Sequence, residues 1–99
     1  MNVTKKQSGS ELFVVVEGNI DSATAPELNK AIEGTLGRIK VLVFDFEKVD
    51  YVSSAGLRVL LASRKAIAKD GNVIVRHPNQ NVMDIFVMTG FDNILTIEQ

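Results

Sequence analysis

Cysteine and tryptophan are missing from this 99-residue chain, and His77 is its single histidine. Without thiols there is no disulfide framework, thiolate metal site or cysteine nucleophile, and a reducing cytoplasm is the simplest compartment to expect. One histidine cannot build a multi-histidine centre, so neither metal nor cofactor is expected. Charge of one sign is lacking too. With 11 Lys+Arg against 12 Asp+Glu the net charge is −1, too little basic field to hold nucleic acid by counterion release. The longest clean apolar run, Leu12 to Val16, falls far short of the roughly 20 residues of a membrane helix. The opening MNVTKKQSGSELF also lacks the charged-then-apolar order of a signal peptide. No repeat, low-complexity tract or Pro/Gly/Ser-rich linker divides the sequence, so one domain over residues 1–99 is expected.

What is present is a regular alternation of segment types. Asn2 to Gln7 is a weak strand candidate, turned by Ser8-Gly9-Ser10 into the β-branched run Glu11 to Glu17, which stops at Gly18. Thr24-Ala-Pro-Glu27 reads as a capping box, with Thr24 as cap and Glu27 reaching back. Leu28, Ile32 and Leu36 follow at helical spacing and predict a first helix over about Ala25–Leu36. Val41–Phe44 has the unbroken apolar character of a central strand covered on both faces. A second helix is predicted over about Ala55–Lys69, ended by Asp70-Gly71 as a glycine cap. Val73–Val75 is another strand. Val82, Ile85, Phe86 and Thr89 repeat as a third helix stopped by Gly90, and Ile94–Ile97 closes the chain as a strand. The order β-β-α-β-α-β-α-β implies an α/β domain with right-handed crossovers. Its sheet should be a mostly parallel one of about five strands, with the first strand antiparallel at an edge.

Chemistry in such a sheet collects beyond the carboxyl ends of the strands. Ser53-Ser54-Ala55-Gly56 lies where loop becomes second helix, and a serine there can simply cap it. The same place suits phosphorylation, because a phosphate at a helix N-terminus meets free N–H donors and the positive end of the dipole. A catalytic serine is disfavoured, since the one histidine lies in another loop and the first glycine of a nucleophile elbow is missing. Asp21, Asp45 and Asp50 could gather as in a receiver domain that takes an aspartyl phosphate. However, the last strand reads Ile94-Leu-Thr-Ile-Glu98, without the lysine of that pattern. As turn formers, Asp21 and Asp50 also have a plainer reading. On the second helix Arg58, Lys65 and Lys69 form a basic line. Met83 and Val87 on the third are expected to pack against the second helix.

Taken in order, Gly18-Asn-Ile-Asp21-Ser-Ala-Thr24-Ala25, Phe44-Asp45-Phe46, Val49-Asp-Tyr-Val-Ser-Ser54-Ala-Gly56-Leu57 and Thr89-Gly90-Phe91 resemble the successive motifs of STAS domains, over essentially the whole chain. Within that group the sequence is most similar to the small anti-sigma factor antagonists of bacteria. The resemblance implies a partner-switching protein that is not an enzyme. Unphosphorylated, it would bind an anti-sigma factor that is also a serine kinase; phosphorylation on Ser54 would abolish binding, and a serine phosphatase would restore it. Where the family often has Asp before this serine, the chain has Ser53. The resemblance implies partner contact through Asp21, and Ser53, Gly56 and Arg58 lie at the same expected surface. Asp45, with Thr24, is expected to position the serine loop. A cytoplasmic domain, monomeric alone, follows from that reading. The other use of the same fold would be an accessory or scaffold subunit of a membrane transport or signalling complex without phosphorylation.

Overall fold

The computed structural model describes residues 1–99, and its elements follow the predicted order. Strands are β1 Asn2–Ser8, β2 Glu11–Glu17, β3 Val41–Lys48, β4 Asn72–Arg76 and β5 Thr96–Glu98; helices are α1 Ala25–Ile32, α2 Ser54–Ala66 and α3 Gln80–Thr89. They form one five-stranded sheet in the order β1-β2-β3-β4-β5, with β1 antiparallel to β2 and all later neighbours parallel.

Because each parallel strand is added on the same side of the one before it, every right-handed crossover returns across the same face. All three helices therefore lie on one side of the sheet. Leu12, Val14 and Val16 of β2, Leu42, Phe44 and Phe46 of β3, and Val73 and Val75 of β4 point into that layer. They share one apolar core with Leu28 and Ile32 of α1, Leu57 and Leu60 of α2, and Val82 and Phe86 of α3. The expectation that the central strand is covered on both faces is thus corrected. The run Val41–Phe44 is apolar on both parities, yet no helix lies over its second face. There Val43 is shielded by its strand neighbours, and Phe13, Val15 and Ile74 are half-buried. Arg76 stacks 5.6 Å over the Phe13 ring while pairing with Glu98 at 2.7 Å, so long charged side chains serve as the cover.

Several boundaries move for local reasons. α1 stops at Ile32, and Leu36 reaches the core from a separate 3₁₀ turn, Leu36–Arg38. α2 stops at Ala66, because Ile67 turns extended and buries its side chain; the guanidinium of Arg64 then takes the carbonyls of Ala68 and Lys69. Gly71 is consequently not a helix cap. It is needed because a Cβ there would stand 2.1 Å from the Lys40 carbonyl oxygen. Lys69 falls outside the helix, leaving only Arg58 and Lys65 of the basic line on it. α3 stops at Gly90 as predicted, in the left-handed conformation. Val87 does not pack against α2 but is 56% exposed. β5 starts two residues later than expected, at Thr96.

Candidate functional site

Two loops meet at the carboxyl edge of the sheet, one between β2 and α1 and the other between β3 and α2. They are joined by a short parallel bridge between Ile20 and Val52. Its hydrogen bonds run from Ile20 N–H to the Tyr51 carbonyl at 3.0 Å and from Ser53 N–H to the Ile20 carbonyl at 2.8 Å. Ile20 and Val52 are both buried. Above them sits Gly56 in the first turn of α2, where a Cβ would lie 2.7 Å from Ile20 Cγ2 and 2.8 Å from Val52 Cγ1. Both neighbours are stiff β-branched side chains. Gly56 is buried beneath the helix and lets α2 settle on the bridge. The expectation of Gly56 as a partner-contacting residue is corrected accordingly.

Asp21 opens α1. Its Oδ1 accepts the N–H groups of Ala23 and Thr24, each at 2.9 Å, and its own carbonyl accepts Ala25 N–H at 2.8 Å. The predicted capping box is therefore displaced by one turn. Thr24 makes no cap bond to the helix; its hydroxyl donates to the Asn19 carbonyl at 2.7 Å and accepts Asp21 N–H at 2.9 Å. The N–H groups of Thr24 and Ala23 hold the Asp21 carboxyl below the usual carboxylate range. Asp21 and Thr24 are both half-buried and fix the entry to α1.

Ser53 and Ser54 are adjacent but unlike. Ser53 is the N-cap of α2, half-buried, with its hydroxyl oxygen accepting Gly56 N–H at 3.4 Å. Ser54 is the first residue of the helix; its side chain is exposed and makes no hydrogen bond within the chain. The N–H groups of Ser54 and Ala55 have no acceptor in the chain, and no acid occupies the first turn. Tyr51, 49% exposed, stands on the same loop. The loop's far flank is held by Asn79, whose Oδ1 caps α3 through Val82 N–H at 2.8 Å. Its Nδ2 donates to the carbonyls of Val49 at 3.3 Å and Asp50 at 3.4 Å.

Arg58, one turn along α2 from Ser54, is exposed and unpaired. It borders a groove of about 410 Å³ between α1 and α2. Asp45 does not join this group. β3 continues to Lys48, so Asp45 lies within the strand opposite Val15 and Arg76, on the uncovered face, and its carboxylate accepts Glu47 N–H at 3.0 Å. Its expected role in positioning the serine loop is corrected: that loop is held by Ile20 and Asn79 instead. No three acids come together to hold a metal, which ends the comparison with a receiver domain's acid cluster.

Asn79 and Tyr51 are the residues that sequence reasoning missed. An Asn after Pro78 and before the Val82–Phe86 repeat carries an N-cap signal, but its second bond, to the serine loop, has no sequence signature. Tyr51 shows only as an aromatic between the buried Val49 and Val52.

The family model for the STAS domain matches residues 2–99, and the chain belongs to that family. An anti-sigma-B factor antagonist of Listeria monocytogenes is 27% identical over 105 residues, covering 99% of this chain and 90% of that protein. The anti-sigma-B factor antagonist of Bacillus subtilis is 26% identical over 98 residues, with 98% and 90% covered. Among solved structures, an anti-sigma factor antagonist from Mycobacterium paratuberculosis superposes with a TM-score of 0.87 at 26% identity, covering 98% of this chain and 84% of that one. No helix of the chain is long and apolar enough to cross a membrane.

Proposed function

We propose that the chain is an anti-sigma factor antagonist, a cytoplasmic one-domain binding protein rather than an enzyme, switched by phosphorylation of Ser54. In the unphosphorylated form it binds an anti-sigma factor that is also a serine kinase and so releases a sigma factor; a serine phosphatase reverses the modification. The observation that carries this reading is the difference between the two serines. Ser53 is committed to capping α2, whereas the Ser54 side chain is exposed and unbonded, and the N–H groups of Ser54 and Ala55 are free. A hydroxyl placed like this fits a kinase active site without unfolding anything. The names of the relatives at 26–27% identity point the same way.

The physics of the switch needs no change of fold. A phosphate brings about −1.5 to −2 charges to a surface meant to be covered by another protein. An unpaired charge buried in an interface costs on the order of 2–5 kcal/mol, roughly 30- to several-thousand-fold in affinity. Asp21 contributes to the surface as the cap that shapes the loop beside Ser54.

Incubation with a cognate kinase and ATP, followed by intact-mass spectrometry, tests the assignment. One acid-stable phosphate is expected, and Ser54→Ala abolishes it. Stoichiometric modification of Ser54→Ala would move the site to Ser53. Failure of the wild type to gain any phosphate would remove the switch.

A further inference from the structure

Four arginines occur in the chain, and Arg38, in the 3₁₀ turn Leu36–Arg38 away from the serine loop, makes no ion pair. Arg76 is spent on Glu98 and Phe13, and Arg64 on closing the end of α2. Arg58 has no such employment, and it stands on the rim of the groove between α1 and α2. The other residues that line the groove are Ala25, Pro26, Ala55, Val59 and Ala62, together with the polar Ser22 and Asn29, and no carboxylate is among them. Ser54, Arg58 and Ala62 succeed one another at intervals of four along α2, so the groove runs directly away from the serine.

A small-molecule site would be more enclosed. This one is an open trough between two helices, floored by alanines and carrying one unpaired guanidinium, the form that accepts a segment of another protein. We infer that the α1–α2 groove is the docking slot for a partner segment in which an apolar side chain is flanked by a carboxylate: the apolar group lies on the alanines and the carboxylate pairs with Arg58. The inference rests on the reading of the chain as a partner-binding protein switched at Ser54, and it adds to the switch. A phosphate on Ser54 stands one helical turn before Arg58, in the favourable order of acid before base. It therefore claims the guanidinium within the chain, and the partner's carboxylate loses its counter-ion at the moment it meets a new like charge.

Binding of the anti-sigma factor to the unphosphorylated protein is measured by calorimetric titration for the wild type, Arg58→Gln, Arg58→Glu and Ala62→Leu, each checked for folding by circular dichroism. Arg58→Gln is expected to weaken binding about tenfold and Arg58→Glu on the order of a hundredfold, with the salt dependence reduced in both. Ala62→Leu, a favourable helix substitution that fills the trough, is expected to weaken binding about tenfold by excluding the partner's side chain. The chain has no cysteine, so Ala62→Cys gives one thiol whose alkylation slows when the partner is bound, a readout independent of affinity. Wild-type affinity for both Arg58→Glu and Ala62→Leu, or unslowed alkylation of Ala62→Cys under saturating partner, overturns the groove and leaves the proposed function standing. A wild type that binds no anti-sigma factor overturns both.

Discussion

α1 and α2 start from loops that are bonded to each other through Ile20 and Val52, yet the two helix ends are finished in different ways. At α1 the carboxylate of Asp21 takes two N–H groups at 2.9 Å each. The positive end of that helix is already matched by a permanent negative charge, and the bonds lower the carboxyl's pKa. At α2 the cap is a neutral serine whose one bond is 3.4 Å long, the first turn holds no acid, and two N–H groups are left over. The first helix end is flanked by the Asp21 carboxylate and has Glu27 in its first turn; its neighbour has no acid, and a phosphate on Ser54 would supply an anion there. Adjacent helix ends of one scaffold thus differ, one beside a fixed negative charge and the other without one.

The comparison can be broken most severely beneath α2. Alanine in place of a helical glycine ordinarily stabilises by about 1 kcal/mol. Gly56→Ala should do the reverse and cost roughly 1–3 kcal/mol, because its Cβ meets Ile20 and Val52 at under 3 Å. Urea unfolding measures the sign; a stabilised Gly56→Ala would mean that α2 does not rest on the bridge.

Asp21→Ala comes next. It removes the two bonds to Ala23 and Thr24 N–H that hold the turn leading into α1, and a lower urea midpoint is expected. The pH dependence separates charge from acceptor. Since the folded-state pKa is depressed, the stabilisation is complete above the unfolded value of about 4 and is lost as pH falls through the folded value. Asp70, lowered by its hydrogen bond and charge contact with Lys40, acts in the same acid window. The difference between wild type and Asp21→Asn therefore isolates one carboxylate, and the two curves should converge at low pH. Parallel curves would show that the lowered pKa of Asp21 adds nothing to folding.

At α2 the effects are smaller. Ser53→Ala should cost about 0.5 kcal/mol, the low end for a cap, in line with its long bond. Ser54→Asp should stabilise by a few tenths of a kcal/mol by placing an acid in the vacant first turn. If Ser53→Ala proved more damaging than Asp21→Ala in unfolding experiments, the ranking of the two helix ends would be inverted.

Element order and the antiparallel edge strand were legible because apolar spacing changes sharply between segments: period two in Leu12, Val14 and Val16, helical in Leu28 and Ile32. The seat of the site at the carboxyl edge was legible too, since Ser53 and Ser54 lie just ahead of a helical repeat. The side chains that hold it were not. Thr24 and Glu27 have the letters of a capping box, but the Asx turn at Asp21 takes Thr24 N–H and the Thr24 hydroxyl donates to the Asn19 carbonyl instead, a competition decided upstream of the helix. Asp45 reads as a strand end because an acid interrupts apolar residues; its parity sends it to the uncovered face while Phe44 and Phe46 remain inside. That face was misread for a related reason. Val41–Phe44 is apolar at every position, and only the unreversed order of the strands, a long-range property, decides that helices cover one side. Gly71 and Asn79 act through partners about 30 residues away, Lys40 in one case and Val49 in the other, and no local pattern announces them.

The bridge between Ile20 and Val52 has a consequence for how a partner reads the domain. A loop that orders only on contact would charge its conformational entropy to the complex and soften any signal written on it. Here the stretch from Val49 to Ser53 is fastened on one side by Ile20 and on the other by Asn79 before any partner arrives. A group added to Ser54 would therefore alter a surface whose supporting loop is already fastened, and the adjustment that recognition demands would fall to the partner.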